Sequence, residues 1–198
     1  VIREYFLNYH SMTRDFTMRL RASDIEYHGS EIEDWKVTIA DTGQLTPTGG
    51  RVNMIRSHVA GETFMATYGD GLADVDLQAL LEFHKAHGKT ATVTAVRPPI
   101  RFGIMELDDD GRVDRFLEKP RSRDWVSAGY FVFEPAIFDY LADDSVLEQE
   151  PLERLAKDGE LMAFKHDGFW QPMDTYRERE YLNQLWDQGE APWALWSR

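Results

Sequence analysis

From Glu62 to Arg97 the sequence spells a strand, a helix and a second strand, and that order constrains the fold more than any other feature. ETFMATYGDG (62–71) is a short apolar run ending in Gly and Asp, the pattern of a buried strand that opens into a loop. Asp74 and Asp76 both suit the N-cap of a following helix. Leu77, Leu80, Leu81 and His84 fall on one face of it, and Gly88 ends it. TATVTAVRPP (90–99) is β-branched and then stopped by two prolines, so it reads as the second strand. A strand, a crossover helix and a strand imply a parallel pair.

The rest of the chain agrees with a mixed α/β pattern. Residues 1–9 read as a helix end with Ile2, Tyr5, Phe6 and Tyr9 on one face. Strands are expected at 13–20, 36–42, 129–135 and 161–166. Helices are expected at 51–59, at 136–158, where the run is acidic, and at 175–188. Residues 103–119 form a hairpin turning at Asp109–Asp110–Gly111. The tail, 189–198, carries two tryptophans without helical period. No linker divides the chain, so one α/β domain is expected over 1–198, with a mostly parallel central sheet and a small antiparallel insertion.

Charge and composition exclude several functions. With 22 Lys and Arg against 35 Asp and Glu, the net charge is -13, and no cations cluster as a nucleic-acid backbone requires. A local basic pocket for one small phosphate ligand stays open. The absence of cysteine excludes disulfides, thiol catalysis and Cys-ligated zinc, and fits a reducing cytoplasm. No apolar run approaches the roughly 18 residues of a membrane-spanning helix. VIREYFLNYH is no signal peptide, since charges interrupt it. It starts in mid-helix without an initiator Met, so the chain reads as a fragment.

Four motifs can carry chemistry. Tyr68-Gly69-Asp70-Gly71 places a carboxylate at a strand end, where α/β sheets bind ligands and where Mg²⁺ takes one or two carboxylates plus phosphate oxygens. Gly-Asp-Gly is equally good turn chemistry. In Trp170-Gln171-Pro172-Met173-Asp174-Thr175, Asp174 is a second candidate metal carboxylate, while Asp174 or Thr175 serves equally as a helix N-cap. Thr46-Pro47-Thr48-Gly49-Gly50-Arg51 offers hydroxyls, backbone N–H groups and an Arg at a helix start, fit for a phosphate or for nothing beyond a capped loop. Glu118-Lys119-Pro120 suits a sugar phosphate or a surface ion pair. The six histidines show no metal spacing, and His84 fits a packed core position. Trp186, Trp193 and Trp196 read as packing or subunit contacts.

TGGR (48–51), TYGDGLADVD (67–76), FHKAHGK (83–89), RFG (101–103), EKP (118–120), GELMAFKHDGFWQPMDT (159–175) and APW (191–193) together resemble the sugar-nucleotidyltransferase family. Within it they resemble the cytidylyltransferase branch that acts on glucose 1-phosphate. The resemblance implies a Rossmann-like domain with a sugar-binding insertion. It also implies transfer between CTP and glucose 1-phosphate with Mg²⁺, and a cytoplasmic homo-oligomer with neither nucleic acid nor membrane as partner. The product would be CDP-glucose, which feeds dideoxyhexose synthesis for O antigen. Carried over by motif, Asp70 and Asp174 match the metal-binding, catalytic aspartates and Gly69 the adjoining nucleotide-site glycine. Thr46 and Arg51 match the loop that reaches the nucleotide, and Glu118 and Lys119 the sugar-phosphate site. The family's opening Gly-rich signature, G-G-x-G-T-R-L followed by P-K-P, is missing, so a truncated nucleotide site is expected. Ser127-Ala128-Gly129-Tyr130 also departs from the family, which carries an Asn near the sugar. Three alternatives stay open: a UTP or dTTP enzyme, a non-catalytic regulatory or oligomerising domain, and a metal-dependent hydrolase built on Asp70 and Asp174.

Overall fold

Ala91–Val96 (β5) alternates Thr with Ala and Val, residues that suit a strand buried on both faces, and five of its six residues are buried. The computed structural model that contains it describes residues 1–29, 34–59 and 61–197. These form two compact units, Val1–Gly43 and Gln44–Arg198, where the sequence shows no dividing linker.

In the first unit, Ile2–Leu7 (α1) and Tyr9–Thr13 (α2) replace the single helix expected over 1–9, broken at Asn8. Phe16–Arg19 (β1) pairs antiparallel with Asp24–Tyr27 (β2). The segment 36–42, expected as a strand, is not one. A strand persists only as part of a ladder, and among the described residues this segment joins no sheet.

The second unit begins with Thr48–Met54 (α3) and Arg56–Val59 (α4). Phe64–Thr67 (β3), Gly71–Ala73 (β4) and Leu77–His87 (α5) follow, then β5. Asp76 caps α5 by accepting from Ala79 N–H at 2.9 Å, and Gly88 closes it. The hairpin of Ile104–Leu107 (β6) and Val113–Leu117 (β7) is the expected antiparallel insertion. Val126–Phe133 (β8), Glu150–Lys157 (α6), Leu161–Lys165 (β9), Trp170–Pro172 (β10) and Tyr176–Asp187 (α7) complete the unit. The helix expected over 136–158 survives as a 3-10 turn, Pro135–Asp139, and α6. Between them Ser145 Oγ accepts from Ala142 N–H at 2.8 Å, a local bond that competes with helix.

The central sheet runs β3-β8-β5-β9 and is mixed, not mostly parallel. β8 inserts between β3 and β5 and pairs antiparallel with both, so only β5 and β9 form a parallel ladder. β3 and β5 do run in the same direction, as a crossover requires, but they are not neighbours. Phe131, Phe133, Ile137, Phe138, Leu147 and Leu155 build the core on one face of this sheet.

On the other face a polar chain lies under α5. His84, 1% exposed, meets Thr92 Oγ1 at 2.8 Å through Nδ1 and Glu134 Oε1 at 3.0 Å through Nε2. His87 Nδ1 accepts from Lys89 N–H at 2.9 Å, which leaves Nε2 to donate to Thr92 Oγ1 at 2.7 Å. Burial, then the charges of His84 and Lys89, hold His87 below the ordinary imidazole value, with Glu160 pulling the other way. The folded chain therefore binds fewer protons here than the unfolded chain. Stability from this site is full above about pH 6.5 and is lost as pH falls from there through the lower folded value. Thermal unfolding of His87→Gln is expected to depend less on pH below about 6.5 than that of the parent chain. Identical pH profiles would contradict it.

Candidate active site

The site starts from an irregularity in β8. Val93 pairs with Phe131 but Ala95 pairs with Ser127, so β8 bulges between. Gly129 sits in the bulge at φ +77°, and a Cβ there would lie 2.4 Å from Tyr68 Cδ2. Only glycine allows both the turn and the close ring. The bulge also aims two groups at the small β4–β10 sheet. Tyr130 O–H donates to Gly71 O at 2.8 Å, and Trp170 Nε1–H donates to Ala128 O at 2.9 Å. Gly129→Ala is expected to cost about 1–3 kcal/mol, read by urea unfolding. An unchanged midpoint would contradict the packing.

β4 and β10 pair antiparallel with Pro172 opposite Gly71. The ladder continues one step further, because Met173 N–H donates to Asp70 O at 2.7 Å. Asp70 and Asp174 are therefore brought to the same end of one ladder, although 104 positions separate them in the chain. Thr175, not Asp174, caps α7: its Oγ1 accepts from Glu178 N–H at 3.3 Å, and Glu178 Oε2 accepts from Thr175 N–H at 2.9 Å. The Asp174 carboxylate is left free of the cap and half exposed, 3.6 Å from Arg101 Nη2. Arg101 is held in turn by Glu178 Oε1 at 2.9 Å.

A cavity of about 810 Å³ is lined by Arg101, Lys119, Trp170, Asp174, Arg177 and Tyr181, among others. Lys119 reaches it from the foot of the β6–β7 hairpin, where Ile100 N–H donates to Pro120 O at 2.8 Å. Its backbone lies at φ +45°, and its Nζ is 3.6 Å from Glu118 Oε1. Glu118, Gly69, Asp70, Thr46 and Arg51 lie outside the cavity wall.

The Thr-Gly-Gly-Arg segment packs against protein. A Cβ on Gly50 would stand 2.1 Å from Asp143 O, and Gly50 N–H donates to Ser145 O at 3.0 Å. Thr48 Oγ1 donates to Glu148 Oε2 at 2.6 Å and accepts from Leu147 N–H. Arg51 Nη2 donates to Gln44 O at 3.1 Å, and the Thr46 methyl faces Gly50. Here the glycine pair serves close approach of helix to loop. The Tyr68 hydroxyl donates to Glu148 Oε1. Burial, that bond and the nearby charges of Glu148 and Asp70 push its phenol well above the usual tyrosine range.

The arrangement offers two hard carboxylates at one ladder end, with three cationic side chains lining the adjoining cavity. Among the described residues no cluster of three or more His, Asp or Glu forms a metal cage. Carboxylates are the donor type that Mg²⁺ takes in ones or twos while keeping much of its hydration, and of this pair Asp174 lines the cavity. Arg101 and Arg177 were not marked by sequence reasoning. Arg101 lies in the RFG motif just beyond the two prolines, a signal that was available.

A family model described as nucleotidyl transferase matches residues 21–173. The chain is similar to glucose-1-phosphate cytidylyltransferase of Salmonella typhi, 47% identical over 99% of this chain and 77% of that protein. It is 39% identical to probable glucose-1-phosphate cytidylyltransferase of Bacillus subtilis (strain 168), over 98% of this chain and 77% of that one. Among solved structures, HddC from Yersinia pseudotuberculosis has the same fold, with a TM-score of 0.53 at 18% identity. That likeness covers 71% of this chain and 62% of the HddC chain, so this chain spans less than two thirds of that structure. With the family match running through the strand ends that carry Asp70 and Lys119, the chain belongs to the nucleotidyl transferase family.

Proposed function

We propose that the chain transfers a cytidylyl group from CTP to α-D-glucose 1-phosphate, giving CDP-glucose and diphosphate. The observation that carries this reading is the ladder that ends at both Asp70 and Asp174, with Asp174 lining a cavity beside Lys119. The 47% identity to a glucose-1-phosphate cytidylyltransferase across nearly the whole chain supports the choice of substrates.

In this reading a sugar-phosphate oxygen attacks the α-phosphorus of CTP in line, and diphosphate leaves. No protein nucleophile is needed, so positioning and charge neutralisation supply the rate. Asp70 and Asp174 would hold Mg²⁺, which when bound eases repulsion between the two anionic reactants. Lys119 places its ammonium on the sugar phosphate, and Glu118 accepts from sugar hydroxyls. Arg101, freed from Asp174, stays tied to Glu178 and adds positive charge at the same wall. By the family resemblance Thr46, Arg51 and Gly69 would serve the nucleotide side, from outside the cavity wall. The net charge of -13 does not oppose this, since cations at the site dominate locally. The reading extends to a cytoplasmic homo-oligomer whose product feeds CDP-dideoxyhexoses of O antigen. Among the described residues, no helix is long and apolar enough to cross a membrane.

A diphosphate-release assay with CTP, UTP, dTTP and GTP, each with glucose 1-phosphate, tests the reading. CTP is expected to be preferred at least about tenfold, the equivalent of 1.4 kcal/mol. Equal rates with all four would overturn the choice of base, and absence of turnover with any would overturn the reaction.

A further inference from the structure

β5 and β9 run parallel and finish side by side, with Ala95 opposite Lys165. The carboxyl ends of parallel strands are where open α/β sheets take ligands. Arg97 follows β5, and His166 and Asp167 follow β9, with His166 N–H donating to Ala95 O at 2.9 Å. Arg121 joins them from the return of the hairpin, where it bridges to Pro99. These segments enclose a cavity of about 210 Å³ lined by Arg97, Arg121, His166, Gly168 and Phe169, among others. It adjoins the larger cavity, sharing Pro98, Pro99, Trp170, Gln171 and Tyr181 with it.

In a chain of net charge -13, two arginines line this one small cavity. Arg97 Nη2 lies 2.8 Å from Asp167 Oδ1, and Arg121 Nη1 donates to Asp167 O at 3.3 Å. The Arg97 guanidinium stacks 4.6 Å from the Trp125 ring, and Lys165 Nζ lies 5.4 Å from the same ring. His166 Nε2 is 3.0 Å from Asp74 Oδ1, so that carboxylate is occupied. Arg97 thus holds the Asp167 carboxylate while Arg121 holds its backbone carbonyl. The hydrogen bond from Arg97, then the charges of Arg97, Arg121 and His166, hold that carboxyl below its usual range despite its partial desolvation. The Arg97 Nε–H is buried and has no acceptor among the described residues. A buried donor left unpaired costs free energy that a bound acceptor recovers. Nothing in the proposed nucleotidyl transfer uses these groups.

We propose that this small cavity is a second anion site, which binds a free phosphate or diphosphate group through Arg97 and Arg121. The guanidinium forks match phosphate oxygens, and the anion supplies the acceptor that the Arg97 Nε–H lacks among the described residues. The volume lies below the roughly 300 Å³ at which pockets begin to enclose drug-sized ligands, which suits one small anion. The inference stands apart from the reaction, because binding is read without substrates or divalent ions.

The test titrates the whole chain with inorganic phosphate and, separately, with diphosphate, in EDTA at constant ionic strength. Calorimetry reads binding, and tryptophan fluorescence reports on Trp125. Saturable binding is expected, with the tighter of the two anions identifying the natural occupant. Arg97→Gln and Arg121→Gln are each expected to weaken it about tenfold or more, since a hydrogen bond to a charged group contributes on that scale. Lys119→Ala is expected to leave it unchanged. Circular dichroism checks that each variant is folded, and Arg121→Gln carries the test alone if Arg97→Gln is not. No saturable binding of either anion overturns the proposal. So does binding lost in Lys119→Ala and kept in Arg121→Gln, which would place the anion in the larger cavity.

Discussion

Asp70→Asn and Asp174→Asn are each expected to lower cytidylyl transfer by about a thousandfold or more, while both variants stay folded. The size follows from the work assigned to these groups. Two polyanions must approach within bonding distance, and loss of one preorganised electrostatic contact commonly costs two to three orders of magnitude. The fold should survive because neither side chain is buried. The Asp174 carboxylate is more than half exposed and pairs only loosely with Arg101. A pair of that kind is worth about 0–1 kcal/mol. The start of α7 does not depend on it either, since Thr175 and Glu178 cap each other. Asp70 contributes its backbone carbonyl to the ladder, which Asn also supplies. Diphosphate release measures the loss, and circular dichroism the fold. Activity within about tenfold of the parent in either variant would remove that residue from the chemistry.

Phe133→Ala is expected to destabilise the chain by about 3–5 kcal/mol. Phe133 is fully buried, stacked on Phe131 at 5.4 Å and tilted against Phe64 at 5.6 Å. Phe64 in turn stacks on Phe138 at 5.9 Å. The cavity left by the ring is walled by strands β3 and β5, which pair with β8 on either side and cannot close in. A domain of this size has about 5–15 kcal/mol in total, so the variant sits near its unfolding limit. Urea unfolding reads the difference. A loss below about 1 kcal/mol would mean that β8 does not form the centre of the core.

Much of the fold was legible because its signals are local. The α5 face, its Asp76 cap and Gly88, the β-branched run of β5 and the 109–111 turn each lie within a dozen residues. The sheet order was not legible. β8 slots between β3 and β5 through pairings 30 or more residues apart in sequence, and nothing in GYFVFEP distinguishes a central antiparallel strand from a parallel one. The β4–β10 ladder has three residues on each side and no alternation to betray it, yet it sets the backbones of Asp70 and Asp174 at one end. The choice between Asp174 and Thr175 as cap was recoverable, since Thr175 with Glu178 three positions on is a capping box. Thr48-Gly49-Gly50 illustrates the opposite case. Two glycines permit a phosphate cradle or a close helix–loop contact, and only the partner segment 143–148 decides between them. Arg97, Arg121 and Asp167 converge from three separate segments and left no pattern in the sequence.

The central claim is that Asp70 and Asp174 grip one divalent ion together with both substrates. Mn²⁺ binding, followed by electron paramagnetic resonance in the presence of CTP and glucose 1-phosphate, tests it without turnover if a non-hydrolysable CTP analogue is used. The account predicts one bound ion per chain, with affinity reduced about tenfold or more in Asp70→Asn and again in Asp174→Asn. Parent-like affinity in either variant would contradict it.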